Sequence, residues 1–99
     1  MAWKTLTKTI ASANAEPLSA TSIKCRSAFI QAVRGNSAAF WVGDANVADD
    51  QGIELLEPQE NTQTPWLPLQ GLYGNDIDLA NVYVIGTTND VVAVLYDEF

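Results

Sequence analysis

Residues 82–96 read VYVIGTTNDVVAVLY. Its two apolar runs, Val82 to Ile85 and Val91 to Tyr96, consist largely of β-branched and aromatic residues, whose stiff side chains suit a pleated surface. Each run is short for a helix, and the GTTND between them carries turn residues. Together they predict two strands joined as a hairpin. Upstream, SAFIQAV (27–33), RGNS and FWVG repeat the arrangement and predict a second hairpin from about Cys25 to Val42, with Trp41 in or near the core. Ile53 to Leu56 reads as a short strand. Pro65 and Pro68 bracket Trp66 and Leu67, so TPWLPL is an edge or extended segment with few ladder donors.

The N-terminal stretch alternates, with Trp3, Thr5, Thr7 and Thr9 on one side and Lys4, Leu6, Lys8 and Ile10 on the other. Neither side is purely apolar. It is therefore an edge strand or an arm, and residues 1–20 are a candidate extended arm. The ASANAEPLSATS that follows has loop composition. About seven short strands, turn signals roughly every ten residues and no sustained helical period predict an all-β fold, a small β-sandwich or barrel. FWVGDAN and YVIGTTND echo each other as strand ends obeying the same turn chemistry.

Composition agrees with one domain. The chain has 99 residues, 47% of them hydrophobic, and a formal net charge of −7. That length is near the modal domain size, and the three Trp, three Tyr and three Phe are too many for a disordered acidic tail. There is no His and one Cys, which removes imidazole catalysis, a thiolate zinc cage and an intramolecular disulfide. Cys25 reads as a small buried residue. With no nucleophile motif and no room for a cleft around paired carboxylates, the expectation is a protein that is not an enzyme and needs no cofactor or metal. No stretch has the length and apolarity of a signal peptide or membrane span, so a soluble protein made in a cytosol is expected.

Charge is polarised along the chain. Lys4, Lys8, Lys24, Arg26 and Arg34 face a single acid, Glu16, in the first 34 residues, a local +4, and the remaining eleven acids follow with no base. Nucleic-acid binding needs a basic face and is not expected. Either the two halves interleave and the charges mix, or unlike faces of neighbouring subunits meet. The loop 44–54 gathers Asp44, Asn46, Asp49, Asp50 and Glu54, and GNDID (74–78) is a shorter acidic loop. Their spacing fails the EF-hand template, which leaves solvated loops as the main reading and a weak calcium site as the lesser. Exposed Trp can stack on sugar rings, so a carbohydrate-binding module is the chief rival to an interaction protein. Trp3 and Trp66 lie in peripheral segments where an interface would bury them.

The run ATSIKCRSAFIQAVRGNSAAFWVGDANV, then GIELLEP, LPL and DLANVYVIGTTNDVVAVLY resembles a group of small structural proteins of tailed bacteriophages and prophages. In that group a Cys-x-x-Val/Ile-Ile-Gln-Ala strand precedes a Gly/Asn turn, an aromatic-Val-Gly strand, a Gly-x-x-Leu loop and a Val-Tyr-Val-x-Gly segment. The matching positions here include Cys25, Ile30, Gln31, Ala32, Asn36, Trp41, Val42, Gly43, Gly52, Leu55, Leu79, Val82, Tyr83, Val84, Gly86, Val92, Leu95 and Tyr96. The resemblance spans roughly residues 20–96, and 58–76 is longer than the short loop the pattern calls for. It implies a β-sandwich virion protein, a capsid decoration or cement protein that assembles in the host cytoplasm. Its partners would be the major capsid protein or other virion proteins, and it would form a small homo-oligomer, for example a trimer. On this reading Trp3, Lys4 and Lys8 contact the capsid, while Trp66 and Tyr73 lie at subunit interfaces. The alternative is a sugar-binding or tail-fibre-associated accessory module.

Overall fold

The structure, a computed structural model, describes residues 3–48, 51–60, 62–74 and 76–99, with only the backbone of Leu72. Among these residues nine strands form two antiparallel sheets, the sandwich that the period-two pattern predicts. The first sheet runs β1 (Trp3–Thr9), β9 (Val91–Glu98), β3 (Lys24–Ala32), β6 (Trp66–Pro68), and β7 (Ile77–Asp78) also pairs with β3. The second runs β2 (Glu16–Pro17), β8 (Tyr83–Ile85), β4 (Phe40–Gly43), β5 (Ile53–Leu55). A single helical turn, α1 (Gln70–Tyr73), and a 3-10 turn at Leu79–Asn81 fill connections. The sequence reading counts fewer strands because β2 and β7 are two residues each, too short to leave a period.

Alternation places the core. In β9, Val92, Val94 and Tyr96 point inward, opposite Ala32, Ile30 and Ala28 of β3, so the bulky Tyr96 is matched by a methyl group. From the second sheet Phe40, Val42, Leu55 and Val84 meet them, with Ile10, Leu18, Leu69 and Leu79 closing the margins. Each fully buried branched side chain contributes about 1.5–3 kcal/mol, which makes this layer the main source of stability. Trp41 is not part of it. The pleat sends Phe40 and Val42 inward and leaves Trp41 half-buried on the outside of the second sheet.

Neither expected hairpin forms. β3 and β9 lie in the first sheet, whereas β4 and β8 lie in the second, so the segments 33–39 and 86–90 are arches that carry the chain across the sandwich. The polar residues that resemble hairpin turns instead bond one arch to the other. The Asn36 side chain donates to Val91 O at 2.9 Å and accepts from Val91 N at 2.8 Å. The Asp90 carboxylate accepts from Ser37 N at 2.9 Å, from Ala38 N at 3.2 Å and from Ser37 Oγ. Asp90 is only 7% exposed, and its backbone carbonyl accepts from Ile10 N. Gly86 lets the arches close up, since a Cβ there would lie 2.9 Å from that of Phe40. Gly35, at φ +100°, makes the turn that delivers Asn36.

Of the alternatives for the N-terminus, the structure adopts the edge strand: β1 pairs with β9 from Trp3 to Thr9. The charge polarity folds into a mixed surface. Lys4 pairs with Glu98 at 2.5 Å and Arg26 with Asp97 at 3.3 Å, Lys24 lies opposite Asp78, and Lys8 pairs with Glu16 at 3.1 Å. Arg34 donates to Gln59 O and Thr62 O, tying the long 58–64 stretch to the first arch.

Two carboxylates record their bonds as lowered pKa values. Asp78 is held below 3.8 chiefly by the Ser22 hydroxyl, with Ala80 N and Ile23 N also donating. Glu16 is held below 4.5 first by Ala11 N, against some desolvation, and then by Ser12 and Lys8. A carboxylate with a depressed folded pKa stabilises above its unfolded pKa and loses that contribution as pH falls through the folded value. Thermal stability should therefore drop on acidification below about pH 4, and Asp78→Ala, less stable at pH 7, should show a shallower acid limb; an unchanged limb would contradict the assignment. In urea denaturation Asp90→Ala should cost about 3 kcal/mol and Asn36→Ala about 2, with the double variant losing less than the sum.

Candidate functional site

The outer face of the first sheet is the most distinctive surface of the molecule. Cross-strand register arranges it in rows. One row runs Thr7, Ala93, Gln31, Trp66 and the next Thr5, Leu95, Phe29, Pro68. Trp66 is 50% exposed and Trp3 43%. Their rings flank Phe29, with centroids 6.3 Å from Trp3 and 6.0 Å from Trp66. Because Ala93 offers only a methyl group, a groove of about 410 Å³ opens over it, with Trp66 and Phe29 on one side and Thr5 and Thr7 on the other.

On this face the outward side chains of the two rows are uncharged, in a protein of net charge −7. Charge gathers at the end that carries Trp3. There Asp97 is buried against Arg26, whose guanidinium also lies 5.1 Å from the ring centre of Phe99. Phe99 is 65% exposed, so this end combines exposed aromatic surface with cations.

The sheet edges are guarded. Unpaired strand edges invite pairing with another chain, and short edges, proline and inward-pointing charge all suppress it. β2 and β5 are two and three residues long, and β2 contains Pro17. β6 ends in Pro68 and follows Pro65. The one long edge, β1, turns Lys4 and Lys8 toward the inner side. Strand addition by another chain is thereby suppressed at these edges.

The residues expected at contacts separate into two sets. Trp3 and Trp66, assigned different roles from sequence, share one face and one aromatic row. Lys4 stays exposed beside Glu98. Lys8 does not stand free: its side chain is 23% exposed and committed to Glu16. The Tyr73 hydroxyl donates to Gly43 O at 2.7 Å, which ties α1 to β4, and burial, with the Asp44 charge, raises its pKa. The sequence reading missed Phe29. Its signal was the alternation in SAFIQA, where burying Ala28 and Ile30 turns Phe29 outward.

Chemistry elsewhere is sparse. Asp44 Oδ1 accepts from Asn46 N in a local turn, while Asp49 and Asp50 lie outside the described residues. Among the described residues no three His, Cys, Asp or Glu side chains are grouped to hold a metal ion. No helix is long and apolar enough to cross a membrane among those residues. Burial, with the charges of Asp78, Asp97 and Glu98, pushes the Cys25 thiol up to about 11. It is protonated at neutral pH and is not a nucleophile.

No protein-family model matches the chain, and no curated protein or solved structure matches it significantly.

Native protein at pH 8 should resist labelling by a soluble aromatic disulfide and react fully once unfolded; rapid native labelling would contradict the burial of Cys25. Tyr73→Phe should cost about 1 kcal/mol, the weight of one hydrogen bond to a carbonyl.

Proposed function

We propose that this chain is a tailed-bacteriophage virion structural protein, a decoration protein that binds the outside of the capsid shell and stabilises it. The guarding of the sheet edges carries the reading. A shell holds its decorating copies at very high local concentration, where any open edge would drive copies into strand pairing with each other. Short edges, Pro17, Pro65, Pro68 and the inward lysines of β1 suppress that route, and a net charge of −7 keeps unbound copies apart. The sequence resemblance supports the same assignment: its motif positions include Asn36 and Gly86, which build the arches of the sandwich.

The shell contact in this reading is the end of the first sheet where Trp3, Lys4, Arg26 and Phe99 are exposed. Aromatic residues and Arg are the side chains that most often anchor interfaces. Both β1 lysines are paired to acids, but Lys8 is left out because its side chain is only 23% exposed, against 55% for Lys4. The partner is the major capsid protein, and a small homo-oligomer such as a trimer would multiply weak single contacts by avidity.

Purified particles from a host carrying the gene should contain the chain in numbers comparable to the shell protein, and particles lacking it should lose their contents at a lower temperature. Trp3→Ala combined with Phe99→Ala should weaken binding to shells at least about tenfold. Absence of the chain from purified particles would contradict the function, and undiminished binding by the double variant would contradict the contact surface.

A further inference from the structure

We propose that the groove over Ala93 is a binding site for a neutral sugar, one or two rings of an uncharged glycan. It goes beyond the shell-binding reading and does not depend on it. The groove lies along the row Thr7, Ala93, Gln31, Trp66 and reaches Thr5 and Phe29, so that the Phe29 ring stands between it and Trp3, whose ring centre is 6.3 Å from that of Phe29.

A hexose ring has an apolar C–H face and a rim of hydroxyl groups. The groove offers the complement of both. Trp66, half-exposed and backed by Phe29, is a rigid apolar wall for the C–H face. Beside it lies the Gln31 amide and across the groove lie the Thr5 and Thr7 hydroxyls, which make no side-chain hydrogen bond among the described residues and so are open to a ligand that displaces solvent. The volume, about 410 Å³, lies within the range of small-ligand sites, which combine mostly apolar walls with a few convergent polar groups.

Charge sets aside anionic occupants. No basic group lines the groove, and the protein carries a net −7, so a phosphorylated or uronic sugar or a nucleic acid would meet repulsion with no counter-charge. Strand addition is suppressed at the edges, as described above.

The test is affinity electrophoresis and tryptophan fluorescence of the full chain with four soluble neutral polysaccharides: laminarin, hydroxyethyl cellulose, dextran and a mannan. At least one should retard the protein and change its fluorescence. Trp66→Ala should weaken that binding about tenfold, the weight of one stacking ring, Ala93→Lys should block it by filling the groove, and Trp3→Ala should leave it nearly intact. The substituted side chains are outside the core, so melting temperatures should stay close to that of the parent and separate lost binding from lost folding. Retardation by none of the four polysaccharides, or equal retardation of Trp66→Ala, overturns the proposal. So does a concentration-dependent dimer in sedimentation that Ala93→Lys dissociates, because the face would then be an interface between copies. Loss of shell binding by Trp3→Ala with glycan binding retained separates the two surfaces.

Discussion

The Asp90 carboxylate, buried between two arches, is the constraint on which the architecture rests. A buried carboxylate is costly unless its oxygens are filled, and here Ser37 N, Ala38 N and the Ser37 hydroxyl fill them. Asn36 answers from the other arch by closing on both polar groups of the Val91 peptide region, its carbonyl oxygen on Val91 N and its amide on Val91 O. These bonds fix the crossing points of both arches, and with them the stacking of β3 and β9 over β4 and β8. The edge strand is tied to the same place, since Ile10 exchanges backbone hydrogen bonds with Asn89 and Asp90.

The arches also determine which surfaces are open. Because each crossover moves the chain to the other sheet, β9 is left at the middle of the first sheet with β1 and β3 as neighbours, and its outward residues Ala93 and Leu95 become the floor of a broad face. Sequence-distant Thr7, Gln31 and Trp66 then meet in one row. The lysines that make β1 look like a basic arm serve instead as edge protection paired to Glu98 and Glu16. An acidic protein thereby presents an uncharged aromatic face within a charged periphery.

Strand identity was legible because it is local. VYVI, VVAVLY and SAFIQA carry β-branched and aromatic residues at period two, and each forms or overlaps a strand. Strand partnership was not legible, because the residues that close a hairpin also suit an arch, and the choice is made by Asn36 reaching Val91 and Asp90 reaching Ser37 and Ala38, pairs far apart in sequence. The same limit explains Trp41 and Phe29. Which side of a short strand faces the core depends on the opposing sheet, so FWV supports two readings until Phe40 and Val42 are seen to pack on it. Trp3 and Trp66 were legible as peripheral aromatics, but their convergence needed the register of four strands. The +4 segment was a true feature of the sequence, and folding dispersed it by pairing Lys4 with Glu98 and Arg26 with Asp97 and by setting Lys24 opposite Asp78 in strand register.

Native-state hydrogen exchange, resolved residue by residue, tests the central role of the clasp most directly. If Asp90 and Asn36 hold the arches as part of the cooperative core, the amides of Ser37, Ala38 and Val91 exchange only through global unfolding, with the same free energy as Val92 and Val94 in the centre of β9. Exchange of the arch amides orders of magnitude faster than those of β9 would contradict it, and would mean that the two sheets are held together by the apolar layer alone.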